Sequence, residues 1–253
     1  MRVSVTEMAV WQECPLKWWY KYHERARSEI PEQTGPMLSG AAIHAGLETA
    51  LLGDKSSEAA WLGAQHFFGD NEEGLAKFGP GVKRALMAAP KWLWEVKVPQ
   101  VELKLEETWG RDKHVVVGKP DLWWVDGTGA HIVEFKSTSD EPSRKLMDYQ
   151  PLGNPQPLRY AVLVEKYLKG TMPMYVRHLI FSTQGKMFEG AEAPVSRKVL
   201  EREETEMREI LGKMMGPPIW HRSWQCGRCA YREVDEVRVT GGDWESMLTK
   251  EGE

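Results

Sequence analysis

The stretch 116–137, VVGKPDLWWVDGTGAHIVEFKS, decides the reading of this chain. Two apolar, β-rich runs flank Asp126-Gly127-Thr128-Gly129, a turn sequence, and predict a hairpin. A symmetric loop of two or four residues centred on Gly127 and Thr128 sets Val125 opposite Ala130 and Asp121 opposite Glu134. Side chains alternate along a strand, so Ile132, Glu134 and Lys136 share one face. Directly opposed residues have Cβ atoms about 4.5–5.5 Å apart. The hairpin therefore gathers Asp121 and Glu134, with Lys136 beside them.

Two neighbouring carboxylates resist ionising together. A divalent cation removes that penalty, and hard oxygen donors suit Mg²⁺ or Mn²⁺. A lysine two residues beyond the second carboxylate can orient a water or help deprotonate it. The plainer alternative is a surface hairpin with a cross-strand ion pair. It fits poorly, because these polar residues stand among Val, Ile, Phe and Trp.

Pro120-Asp121 followed by Glu134-Phe135-Lys136 resembles the signature of the PD-(D/E)XK nucleases. Around it stand Gly40-Ala41-Ala42-Ile43-His44, Gln156-Pro157-Leu158-Arg159-Tyr160, Cys14-Pro15 and Cys226-Gly227-Arg228-Cys229. In this order they resemble the RecB-like branch, which includes helicase–nuclease subunits, CRISPR-associated exonucleases and phage exonucleases. The resemblance implies a metal-dependent DNA exonuclease. His44, Asp121, Glu134 and the Phe135 carbonyl would hold Mg²⁺ or Mn²⁺, and Lys136 would position the attacking water. It implies that Gln156 and Tyr160 support the catalytic residues or contact DNA. Roles in recombination, repair, CRISPR spacer processing or phage DNA processing are compatible with it, as is a recombination or helicase partner. The other classes are a structure-specific endonuclease and a non-catalytic DNA-binding module; the intact Asp–Glu–Lys set speaks against the latter.

Composition narrows the setting. The 253 residues are 42% hydrophobic and 28% charged, which suits one large soluble domain. No apolar run is long enough for a membrane span. Three cysteines, an odd count, argue against a disulfide framework and for a reducing, cytoplasmic setting, the host cytoplasm if phage-encoded. A net charge of −4 gives no global attraction to DNA, so local basic patches must supply it. No P-loop motif is present, so the chain is not itself a helicase.

Three regions are expected within one compact domain: 1–95, N-terminal and helical, including a cap; 96–195, the nuclease core; 196–253, a helix and the cysteine segment. Ser4 with Glu7 forms a capping-box pattern for a first helix, Thr6 being the alternative cap. A second helix, 16–25, carries Lys17, Lys21 and Arg25 every four residues, either a solvated face or a DNA contact. Helices are predicted over 38–52, 57–68, 81–94, 156–169 and 195–215, the last with a solvated, charged face. Glu48 stands four residues after His44 and can reach its ring. Strands are predicted over 98–109, 114–125, 130–137 and 174–182, with a loop over 141–155. Glu102 is a solvent-facing strand residue by pattern, and the resemblance implies a glutamate near the site at this position. The order gives an α/β, restriction-endonuclease-like fold with a mixed sheet.

The cysteines leave alternatives open. The resemblance implies that Cys14, Cys226 and Cys229 join through the fold to hold a 4Fe-4S cluster. The family's last cysteine would fall six residues after Cys229, where this chain has Asp235. Asp235 or another group completes a cluster, or zinc binds the three cysteines with a residue such as His221, or the site is degenerate. The cluster is favoured, since all three cysteines occupy ligand positions.

Overall fold

The structure is a computed structural model that describes residues 1–23, 35–110, 113–138, 152–182, 184 and 186–216. Strand β1 (Arg2–Ser4) leads into α1 (Val5–Glu13), α2 (Pro15–Trp18) and a π-helical turn, Trp19–His23. Helices α3 (Gly35–Leu52), α4 (Ser57–Phe68), α5 (Glu72–Met87) and α6 (Lys91–Glu95) follow. Strands β2 (Gln100–Val101), β3 (Leu105–Trp109), β4 (His114–Gly118), β5 (Leu122–Val125) and β6 (Ala130–Thr138) come next. The order ends with α7 (Pro155–Leu168), β7 (Met174–Ser182), β8 (Met187–Glu189), β9 (Ala193–Val195) and α8 (Arg197–Met214).

Two sheets form. One has the order β1-β4-β3 and the other β2-β5-β6-β7-β8, with β9 also paired to β7. The β5–β6 hairpin has the register read from its turn: Val125 faces Ala130 and Leu122 faces Val133. Asp126 N–H donates to the Gly129 carbonyl at 3.0 Å, and its carboxylate accepts the Thr128 N–H at 2.8 Å. Gly129 has φ of 150°, and a Cβ there would lie 2.3 Å from the Pro173 carbonyl oxygen, so only glycine closes this turn. Strand β6 pairs in parallel with β7, which makes the sheet mixed.

The alternation along β6 and β7 separates two apolar cores. Ile132, Met174 and Val176 pack with Leu158, Val162 and Leu163 of α7 and with Leu200 and Met207 of α8. Val133, Phe135, Leu179 and Phe181 pack with Ile43 and Leu47 of α3, Ala64 of α4 and Leu86 of α5. Each of the larger side chains contributes about 1.5–3 kcal/mol on burial, so the sheet is fixed by helices on both faces.

Several boundaries differ from the sequence reading. The strand predicted over 98–109 is two strands in different sheets, and so is the one predicted over 114–125. Sheet membership depends on partners, which alternation does not encode. Helix α5 starts nine residues before the predicted Gly81, because Asn71 caps it through the Gly74 N–H and Pro80 is accommodated inside. Pro90 then separates α5 from α6. Helix α8 is amphipathic: opposite its charged residues it buries Leu200, Glu203, Met207, Ile210, Leu211 and Met214. The strands β1, β8 and β9 are three residues each, too short for a periodic signal. The Ser4–Glu7 capping box is present, with both reciprocal bonds.

Candidate active site

The chain passes between the two sheets twice. Residues Glu102–Lys104 link β2 to β3, and Lys119–Asp121 link β4 to β5. The two crossings lie side by side: the Glu102 N–H donates to the Asp121 carbonyl at 3.3 Å. Pro120 has no N–H to offer a ladder, which suits the end of strand pairing here. Glu102 has φ of 49°, in the left-handed region that costs a non-glycine residue about 1–2 kcal/mol. This corner collects the candidate ligands.

Asp121 lies one residue before β5, beside Glu134 in the continued register. Its Oδ2 accepts the Phe135 N–H at 2.6 Å. Its Oδ1 lies 3.4 Å from His44 Nδ1. Helix α3 carries His44, and Gly40 one turn earlier sets the approach. A Cβ at Gly40 would lie 2.4 Å from Ser137 Oγ, so glycine lets α3 close on the end of β6. One donor atom each from His44, Glu102 and Asp121 lies within 4.8 Å of the others. Glu102 therefore joins the site, although the strand pattern alone placed it in solvent. Glu48 acts on Lys119 through its charge, while the His44 Nδ1 contact is to Asp121.

Glu134 is 1% exposed. Its Oε2 lies 3.2 Å from Lys136 Nζ, and its Oε1 has no hydrogen-bond partner among the described residues. Burial, then the negative charge of Asp121, pushes the Glu134 carboxyl well above the usual range; Lys136 opposes this. Burial and Asp121 also raise the Glu102 carboxyl, against the pull of Lys119. Burial lowers the affinity of His44 for a proton, but the hydrogen bond and charge of Asp121 outweigh it, so its pKa lies above the ordinary imidazole value.

From the other face, α7 supplies a polar chain. Lys136 Nζ donates to Gln156 Oε1 at 2.9 Å, and Gln156 Nε2 donates to Tyr160 Oη at 3.2 Å. Burial raises the Tyr160 phenol, so it stays protonated; Thr6 of α1 also hydrogen-bonds it. Thr6 carried no sequence signal beyond a capping alternative. His178, opposite Glu134 on β7, is buried; burial and the Lys136 charge push it down to about 4.

The donor set fits a divalent cation. It offers two carboxylates and one imidazole at a protein corner, plus the unpartnered, buried Glu134 oxygen. Carboxylates held this close in a partly buried site resist ionising together, and a cation removes that penalty.

The remaining sequence candidates lie elsewhere. Cys14 is half-buried between α1 and α2, where its Sγ accepts the Lys17 N–H at 3.4 Å. Lys17 pairs with Glu13 at 3.1 Å, and Lys21 is exposed with its ammonium over the Tyr22 ring. Arg25, Cys226, Cys229, Asp235 and His221 lie outside the described residues, as does most of the predicted 141–155 loop. Among the described helices, none is long and apolar enough to cross a membrane.

One solved structure shares this architecture. A provisionally assigned exonuclease from Eubacterium rectale superposes with a TM-score of 0.53 at 12% identity, covering 89% of this chain and 86% of the other. That likeness is one of fold. The protein SSO0001 aligns over 88% of this chain and 94% of its own at 12% identity, with a TM-score of 0.33. No curated protein matches. The profile of the PD-(D/E)XK nuclease superfamily matches residues 2–234, which run from β1 through the corner and beyond α8, and the chain belongs to that superfamily.

Proposed function

We propose that this chain is a divalent-metal-dependent DNA exonuclease of the RecB-like type. The observation that carries this reading is the convergence of His44, Glu102 and Asp121 beside a buried, half-satisfied Glu134 and Lys136. His44, Asp121, Glu134 and the Phe135 carbonyl, joined by Glu102, would hold Mg²⁺ or Mn²⁺. Such a cation polarises a scissile phosphate and lowers the pKa of a water. Lys136, fixed between Glu134 and Gln156, presents its ammonium where negative charge develops on the phosphate. Gln156 is itself held by Tyr160, so the lysine cannot swing freely. Lys17, Lys21 and Arg25 are proposed to contact the DNA backbone, with Lys21 the more available of the two described lysines.

Cys14, Cys226 and Cys229, with Asp235 as the fourth group, are proposed to hold an iron–sulfur cluster. It would join the α1–α2 junction to the C-terminal segment. Iron and zinc analysis of anaerobically purified protein separates the cluster from the zinc alternative.

The deciding assay uses end-labelled linear and covalently closed circular DNA, single- and double-stranded, with Mg²⁺, Mn²⁺ or EDTA. Degradation of linear DNA alone, abolished by EDTA, is the expected result. Rapid cutting of closed circles would assign the chain as an endonuclease. No cleavage of any substrate with either metal would overturn catalysis.

A further inference from the structure

We propose that Lys119 is an exchange cation, whose ammonium alternates between Glu102 and a phosphate of the nucleic acid. Metal binding at His44, Glu102 and Asp121 and strand binding at Lys119 would then reinforce each other. This rests on the reading of that cluster as a divalent-metal site.

Lys119 Nζ lies 2.7 Å from Glu102 Oε2, so it occupies a carboxylate that belongs to the metal-ligand cluster. The charges of Glu48 and Asp121 bear on the same ammonium. The lysine side chain is 55% exposed, against 22% for Glu102. Its backbone is fixed by Pro120 at the corner, while its head stands in solvent on a flexible four-carbon stem.

A purely structural role for the pair is too weak to explain the arrangement. A half-exposed ion pair contributes about 0–1 kcal/mol. The backbone strain at Glu102 is of the same size or larger, so the pair does not hold the corner together. Strain of this kind persists where the surrounding fold imposes it, often at functional sites. Here it aims Glu102 at both His44/Asp121 and Lys119. A cation and Lys119 therefore compete for one carboxylate. A cation that takes Glu102 leaves Lys119 beside the site without its counter-ion, where a phosphate can replace it. By linkage, whatever factor metal adds to strand affinity, the strand adds to metal affinity.

The test uses full-length protein, Mn²⁺ calorimetry, and anisotropy of a fluorescent single-stranded phosphorothioate oligonucleotide. Without DNA, Lys119→Met should bind Mn²⁺ about two- to fivefold tighter, the release of a weak surface competitor. With Mn²⁺ present, it should bind the oligonucleotide severalfold more weakly, with a salt-dependence slope smaller by about one phosphate contact. Lys119→Arg should keep the oligonucleotide affinity. In a Glu102→Gln background, Lys119→Met should leave Mn²⁺ affinity unchanged, which separates competition for Glu102 from repulsion at a distance. Unchanged or weaker Mn²⁺ binding by Lys119→Met overturns the exchange. Normal oligonucleotide affinity and salt slope overturn the phosphate half of it. Wild-type protein that binds no Mn²⁺ removes the metal reading itself, a failure visible before any variant is made.

Discussion

Arg159 belongs to the Gln156–Tyr160 segment, yet its side chain points into the protein rather than to the site. It is 0% exposed and its partner Glu203 on α8 is 3% exposed, with Nε and Oε1 2.9 Å apart. A second arm bonds Gln12 of α1, and Glu206 lies 3.9 Å away. Arg159 thus ties α7 to α1 and α8. Burial lifts the Glu203 carboxyl above its usual range even with the guanidinium beside it, so desolvation outweighs the attraction. The pair as a whole therefore adds little stability. Breaking it is a different matter, because Glu203→Ala leaves a buried guanidinium with Gln12 and a distant carboxylate. Such a change costs about 3–5 kcal/mol. For a protein of this size, about 2–4 °C per kcal/mol converts that to a fall in Tm of about 6–20 °C. Replacing both residues, Arg159→Met with Glu203→Leu, should recover most of the loss, since apolar isosteres of buried pairs are often neutral or stabilising by about 1–4 kcal/mol. Thermal and denaturant unfolding of the single and double variants supply the test. A loss under about 1 kcal/mol for Glu203→Ala, or a double variant as unstable as the single one, would refute the reasoning.

The remaining predictions concern the site and its supports. Glu134→Gln should lower cleavage by about 100- to 1000-fold while changing the pH dependence of the metal-free protein. The raised Glu134 carboxyl contributes stability that is present below its ordinary value of 4.5 and lost as pH rises. Glu134→Gln should therefore gain stability relative to wild type between pH 5 and 8 in EDTA, which urea titrations at both values measure. His178 works in the opposite direction: it binds its proton near 4 in the folded chain against 6.5 unfolded, so stability falls as pH drops through that window. The drop amounts to about 3 kcal/mol, and His178→Gln should flatten it in the same titration. A Cβ at Gly118 would lie 2.4 Å from Leu163 Cδ1 and 3.0 Å from Tyr160 Cδ1, so Gly118→Ala pushes on α7. It should cost about 1–3 kcal/mol and lower kcat through Tyr160 and Gln156, with Mn²⁺ affinity unchanged by calorimetry.

The hairpin was legible because both of its signals are local. A turn sequence sets the register, and a period of two sorts Ile132 from Val133 to opposite cores. Helix α4 and strand β7 were legible for the same reason, since caps and apolar runs mark their ends. His44 was a different case. Nothing within α3 distinguishes its histidine from a structural one. What brings it to the candidate site is the close approach allowed by Gly40, and that approach is tertiary. Only the resemblance of the motif carried the reading.

The hairpin register gave Asp121 and the resemblance gave Glu102, but the switch between sheets at the corner could not be read, and its physics says why. Along 101–106 apolar and polar residues alternate straight across the crossing, Val101, Leu103 and Leu105 against Glu102, Lys104 and Glu106, so the pattern describes one strand. A β-ladder, however, needs partners as well as alternation. The partners change at Glu102, from β5 to β4, and the backbone takes a left-handed φ to make the change. The same switch occurs across Lys119–Asp121. Where two ladders stop together, side chains that would have pointed into separate faces are turned into one space. Carboxylates brought there need a counter-charge, and the chain supplies one from Lys119 on the adjoining crossing. The residues that bring about the switch are thus the residues that make the site. A substitution that smooths the corner, such as Glu102→Gly, should relieve strain of about 1–2 kcal/mol while removing a proposed metal donor. Stability and metal affinity should then move in opposite directions, and a variant losing both would show that Glu102 is held there by packing alone.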